Sequence, residues 1–492
     1  MAAACVVGNP VRAQKIIEYV AGMGTRDANN ADVWILYNKV KARHEGMTLY
    51  ADSATYDTRK SSFEAFGTVV IKMTDTTTLY GDRAFYNGNT RIADVEADTV
   101  LLVDGVTELR TDKLRYDRNS STASYTSWGH TIHNNTTIDS RKGHYKSDTR
   151  DLYLYNDVLL RDSNSRLETD TLHYNTLSEE ASFVSTTRIY SDSATIFSER
   201  GFYNTHSHLA RSYRDSRVTN GGKKLFCDTL FFNDSTEYGE AYGHVVIIDT
   251  VNNVCCYGGM GVTSREARYT FVTDSALVVQ VDKGDSLFVH ADSLWVFNNE
   301  NRKMESAKAY HGVRIFRVDV QGACDSLYYN AVDSLAVLYG DPVVWYESYQ
   351  ATADTMEVFM DTAGVRLIKL KKNVFVIDEV DPSRQSQVKG ANAIVYCHGG
   401  EPHHADILGS AQMVYYVLDD DEEGNRSLLG VNAGVGSDMR IYFKNREPSR
   451  VVTMGSPDMK MYPPDQLPQS ERYLQGFKMR QEQRPKNRHD VW

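Results

Sequence analysis

An acidic residue returns along this chain at Asp52, Asp82, Asp112, Asp170, Asp228, Asp292, Asp325 and Asp354. Carboxylates repeated at a fixed step could stack to hold calcium, or pair as acid and base across a glycosidic bond. Two features argue against both chemistries. A catalytic residue is normally unique, whereas this one recurs in nearly every unit, and Arg141 occupies one of its places. No glycine-rich nonapeptide of the calcium-binding kind accompanies it. The expected role is local: an aspartate at a bend, accepting hydrogen bonds from nearby amides and keeping an edge soluble. The string "CHGGEPHH" at 397–404 brings Cys397, His398, His403 and His404 close in sequence, a soft-metal donor set, but it reads more simply as a Gly-Gly loop that carries histidines. Cys255 and Cys256 would lie on opposite faces of an alternating strand. None of the six cysteines forms a CxxC pair, so buried free thiols are expected. Nucleophile elbows, phosphate loops and dinucleotide fingerprints are not found. The chain is therefore expected to have no catalytic residue, no metal and no cofactor, and not to be an enzyme.

The elements that carry these residues repeat. "LYADSATYD" at 49–57 returns as "LYGDRAFYN" at 79–87 and "LRTDKLRYD" at 109–117, and further copies align at Arg141, Asp170, Glu199, Asp228, Gly259, Asp292, Asp325, Asp354 and Asn392. Two places beyond this position stand small or apolar residues: Ala54, Ala84, Leu114, Leu172, Leu230, Leu294, Leu327, Met356 and Ile394. Four places beyond stand mostly aromatic ones: Tyr56, Tyr86, Tyr116, Tyr145, Tyr174, Tyr203, Phe232, Tyr329 and Tyr396, with Val296 in the copy at Asp292. Polar residues alternate with them, so each phrase reads as a strand with one apolar face. Fixed repetition stacks these residues into ladders. Leu114, Tyr116, Leu172, Tyr174, Leu230, Phe232, Leu294, Val296, Leu327 and Tyr329 are expected to point between two sheets and line a groove, with Arg115, His173 and Trp295 facing away. Between phrases a second strand is legible, opened by glycine in "GTVVIKM" at 67–73, "GHVVIID" at 243–249, "GVRIFRV" at 312–318 and "GDPVVWY" at 340–346. The period allows either one rung per repeat or two rungs in a single meander.

Composition bounds the class. Hydrophobic residues make up 41% and charged ones 24% of the 492 residues, and no apolar run reaches the length of a spanning helix. A net charge of −11 argues against a nucleic-acid partner. Residues 1–14 end in Val11-Arg12-Ala13 and read as the remnant of a secretory signal. Residues 15–46 read as a lead-in, 47–455 as the repeat array, and 456–492 as a proline-containing basic tail. Within that tail, Gln469–Phe477 reads as one or two helical turns near the last strand, with the basic end trailing into solvent.

The "ADxxxY" phrases ("YADSATYD", "VHADSLWVF", "ATADTMEVF"), each followed by a Gly-Xaa-Val strand such as "GTVVIK", resemble the OstA/LptA-like family of lipopolysaccharide-transport proteins, in its long OstA-like form. The resemblance spans about residues 47–455. It implies an all-β fold: an elongated array of roughly twelve units of about 30 residues forming an open β-jellyroll, or β-taco. It also implies a periplasmic conduit, free or associated with the outer membrane, that shields the lipid A acyl chains of lipopolysaccharide. Partners would be other transport proteins docked through end strands, and further copies joined head to tail. The rival expectation is a β-solenoid that binds or cleaves envelope polysaccharide, or a scaffold without ligand. Those would have a sealed interior.

Overall fold

The computed structural model describes residues 16–192, 194–281, 285–301, 303–420 and 426–492. The reading of residues 1–14 as a signal remnant lies outside them. Among the described residues the regular structure is β throughout, apart from one short 3₁₀ helix, Gln481–Gln483. None of their helices is long and apolar enough to cross a membrane.

Successive strands are antiparallel neighbours. Met47–Asp57 pairs with Ser62–Lys72, then come Thr77–Asn87, Ile92–Asp104 and Thr107–Asp117. Each repeat therefore supplies two rungs to one meander. The lead-in is already part of it: Val33–His44 pairs along Met47–Asp57, and Glu18–Val20 and Met23–Arg26 pair with Val33–His44 in turn.

Every long strand bends at its middle. The ladder slips between Tyr50 and Ser53, Phe66 and Val69, Tyr80 and Arg83, and Glu96 and Val100. Each half then belongs to a different wall. In Met47–Asp57, the inward side chains Met47, Leu49 and Ala51 serve one wall and Ala54 and Tyr56 the other, and all five are buried. The glycines expected to open the second strand in fact sit at this corner, inside Ser62–Lys72, Tyr238–Asp249 and Met304–Phe316. The corner needs a left-handed backbone, which glycine adopts without a steric penalty. Gly67 has φ +88° and abuts the Asp52 carboxylate, whose Oδ2 accepts a hydrogen bond from the Thr68 amide at 2.8 Å. Gly243 against Asp228 and Gly340 against Asp325 repeat the arrangement. The recurrent aspartate is thus a corner brace. Gly67→Ala is expected to destabilise by about 2 kcal/mol, more than Gly46→Ala, because Gly46 shares the positive φ but has nothing within 4 Å of an added Cβ. Chemical denaturation of the two variants side by side measures the difference.

The hairpin tips use one device repeatedly. The Asp or Asn after the phrase's tyrosine accepts from the amides two and three residues on, as Asp57 does from Arg59 and Lys60, and Asn87 from Asn89 and Thr90. Asn89, Asn119, Asn175 and Asn204 then donate to a carbonyl of the preceding tip. The tips are tied to one another as well as to themselves.

The chain divides into two compact units, one ending with Gly221 plus Thr229–Ser235, the other Gly222–Asp228 plus Thr236–Trp492. Both use the bent meander. In the second unit one inward column runs through Val272, Leu294, Ala309, Leu327, Leu338, Met356, Leu370, Ala393, Ile407 and Met439. The alignment on Asn392 is therefore one residue out of step. Ala393 is buried, whereas Tyr396 is exposed and stacks on His404 at 4.4 Å. In a strand a one-residue shift exchanges the faces.

The terminal segment also departs from the sequence reading. Asp458–Tyr462 is still a strand, paired with Arg426–Lys444. Beyond it the chain forms an irregular strap with no α-helix, and its basic end does not trail away. Arg480 and Arg484 bond to Asp341 and Gln321 of the sheet, and Val491 is fully buried.

Candidate functional site

The two walls enclose an apolar interior. In the first unit its columns hold the residues read from the repeat. Leu172 pairs across to Leu154 and Phe183, and Tyr174 to Leu152 and Ala181, while Leu114 and Tyr116 pair with Val95 and Ala93. These four, with Leu230, Phe232 and Leu294, are buried; Val296, Leu327 and Tyr329 are partly so. Arg115, His173 and Trp295 lie on the opposite face. Arg115 pairs with Asp94, His173 stacks on Tyr153 at 4.6 Å, and Trp295 packs against Phe271 at 4.3 Å.

The corners close one long side of the first unit's interior. The other side is closed by polar side chains that reach from the tips of one wall to the tips of the other. Tyr86 Oη lies 2.7 Å from His44 Nδ1, and Arg118 donates to both Tyr86 Oη (3.2 Å) and the Glu45 carbonyl (2.8 Å). Arg91 pairs with the Glu45 carboxylate at 2.7 Å. Two repeats on, Tyr145 donates to Asp104 Oδ2 at 2.8 Å, and Arg150 pairs with the same, almost wholly buried carboxylate. Two repeats further, Tyr203 donates to Asp162 Oδ2 at 2.9 Å and meets Ser165 at 2.6 Å. Between these, Tyr116 and Tyr174 bond to Ser147 and Thr205 of the neighbouring tip, and the Tyr174 ring also meets the opposite wall at His133. Ser191 donates to Asp234 at 2.9 Å one repeat beyond the Tyr203 latch, so cross-seam latches recur along the first unit. Burial pushes the phenols of Tyr145 and Tyr203 well above their ordinary range, so they stay neutral donors.

Sequence reasoning found the tyrosine column but missed the latches. The available signal was that a buried tyrosine needs a partner for its hydroxyl. The partners are the polar tip residues His44, Asp104 and Asp162 and the turn arginines Arg118 and Arg150.

A further crossing joins the walls near His133. Its Nδ1 lies 2.9 Å from Thr107 Oγ1, its ring is 6.5 Å from that of Tyr174, and Glu179 is 3.8 Å away and accepts from Asn134 at 2.7 Å. Burial holds the His133 imidazole below its usual pKa, against the opposing pull of Glu179. The unfolded chain therefore binds this proton more readily. The contribution of neutral His133 is complete above the unfolded value of about 6.5 and is lost as the pH falls below it. His133→Gln is expected to flatten the dependence of melting temperature on pH between about 7 and 5; thermal scans across that range test it.

The described cysteines are free thiols, with Cys255 and Cys256 on opposite faces as the alternation requires. The "CHGGEPHH" string is a hairpin tip, with His398 paired to Glu401. Among the described residues no three His, Cys, Asp or Glu converge to hold a metal.

Bent strands, braced corners and a latched apolar interior define a repeat-built β-jellyroll with no assembled catalytic constellation among the described residues. The family described as OstA-like protein matches residues 13–170 and 152–225. Among solved structures it is similar to LptH, described as the LptA homologous periplasmic component of the conserved lipopolysaccharide transport device from Pseudomonas aeruginosa. That similarity is 16% identity over 29% of this chain and 95% of that chain, with a TM-score of 0.22. No curated protein matches the chain.

Proposed function

We propose that the protein binds lipopolysaccharide in the periplasm and transports it during outer-membrane biogenesis, with the lipid A acyl chains between the two walls. The observation that carries this reading is an apolar interior that runs through successive repeats and is shut along one side only by side-chain hydrogen bonds and ion pairs. Each buried CH₂ stabilises a bound lipid by ~0.8 kcal/mol, so a long apolar wall suits an acylated ligand better than any special residue would. The OstA-like match over residues 13–225 supports the same class. Leu114, Tyr116, Leu172, Tyr174, Leu230, Phe232, Leu294, Val296, Leu327 and Tyr329 are the proposed contacts. Entry of a chain requires the seam to part, exchanging latch bonds for water while sugars and phosphates stay outside. Other transport proteins or further copies would dock on the end strands. The role is carriage, not catalysis.

The near-complete burial of Tyr174 favours a second reading, a scaffold with a filled core. One experiment separates them. Photo-reactive residues at Tyr174 and at His173, on the same strand but opposite faces, are exposed to lipopolysaccharide. Capture at 174 and not at 173 supports carriage; equal capture, or none at either position, removes it.

A further inference from the structure

In the second unit both faces of one wall are buried. The inner face carries Cys256, Val278, Val289, Ile315, Val344, Ala351, Val376 and Met413 against the core. The outer face is covered by the terminal strap. Gln350 and Gln387 stand on this outer face with 2% and 0% exposure. Each reads the strap's backbone in the same way. Gln387 donates through Nε2 to the Arg472 carbonyl at 2.9 Å and accepts through Oε1 from the Leu474 amide at 2.8 Å. Gln350 donates to the Lys478 carbonyl at 2.8 Å and accepts from the Arg480 amide at 2.7 Å. Gln321 accepts from Arg484 Nε at 2.7 Å. The apolar anchors lie along the same path: Leu467 and Leu474 over Val414, Tyr416, Val431 and Ala433, then Phe477 beside Phe375, and Val491 on Leu277 and Val279.

The strap adds no strand to the sheet, and the ladder beneath it is complete. Pro463 and Pro464 separate it from the last strand, where the missing amides end the pairing. Two amide side chains on the face find partners in the strap, Gln387 beside its bond to the Gln385 carbonyl, so the face recognises an extended backbone; uncovered, these groups would exchange their bonds for water and the apolar anchor sites would be exposed. Because the glutamines bond to the backbone of an extended chain, any strap of the same sequence fits as well as its own. We propose that the outer face of the second unit is a receptor for an extended peptide, and that its partner is the terminal strap of a second copy, exchanged with the chain's own. Strap exchange couples copies without using the strand edges.

The test uses two full-length copies with different affinity tags. One carries a photo-cross-linking residue in place of Phe477 and is mixed with the other before illumination. The expected product joins both tags and maps to the strand Gly364–Asp381 of the recipient. Gln350→Ala with Gln387→Ala in the recipient lowers its yield about tenfold. Products confined to single chains, or interchain products mapping to end strands instead, overturn the proposal. As a second measurement, a labelled peptide of residues 463–492 is titrated into full-length Leu474→Asp/Val491→Asp protein, whose own strap is weakened. Saturable binding supports the proposal, and no binding by a variant with an unchanged β-sheet spectrum overturns it. If that variant loses its sheet, the two-tag experiment on the otherwise wild-type chain decides.

Discussion

Asp104→Ala is expected to lower the stability of the first unit by about 3 kcal/mol, because it removes the one carboxylate shared by Tyr145 and Arg150. The carboxylate is almost wholly inaccessible, and Arg150 is itself only about a quarter exposed. Breaking such a pair from one side leaves a guanidinium and a phenol without their acceptor in a place water reaches poorly. Tyr145→Phe should cost less, about 1 kcal/mol, since the ion pair survives. Urea unfolding of both variants gives the ordering. If the latches gate the interior, Asp104→Ala should also accelerate lipopolysaccharide capture at Tyr174. A variant with wild-type stability would show that the seam is not held by this pair.

Trp345→Ala is expected to cost about 3–5 kcal/mol in the second unit. This indole is fully buried, at a point where Gln321 and Gln350 are its direct cross-strand neighbours. Its removal leaves a cavity between two of the glutamines that hold the strap, on the same face. The loss should therefore appear twice: in the unfolding midpoint, and in faster tryptic cleavage after Arg480 or Lys486 as the strap lifts. Trp345→Phe, which keeps most of the volume, should recover much of both. Unchanged proteolysis in the alanine variant would separate the strap from the packing below it.

Much of this fold was legible because its unit is short and its alternation strict. The period placed Tyr86, Tyr116, Tyr145 and Tyr174 on one inward column, and the pairing agrees. The corner was misread because a glycine before a β-branched run looks like a strand start. Only the left-handed conformation at Gly67, pressed on Asp52, distinguishes a bend within a strand from a break before one. The register failed at Asn392, where the preceding strand is longer than its predecessors and the spacing lost its authority. The strap was out of reach for a different reason. Its order comes from Gln321, Gln350 and Gln387, long polar residues that would read as solvent-facing and whose burial depends on a segment up to 163 residues away. The latches failed similarly, since a tip residue such as Asp104 gives no local sign that it meets a tyrosine 41 positions on.

The latches also constrain the order in which the first unit assembles. Glu45 meets Arg91, Asp104 meets Tyr145, Asn134 meets Glu179, Asp162 meets Tyr203 and Ser191 meets Asp234, pairs 46, 41, 45, 41 and 43 positions apart. None of these latches lies within a single hairpin, so each can form only after the strands between its partners have paired. Short hairpin loops cost less closure entropy than these longer spans. The meander therefore zips as an open ladder first, and the seam shuts behind it one repeat at a time.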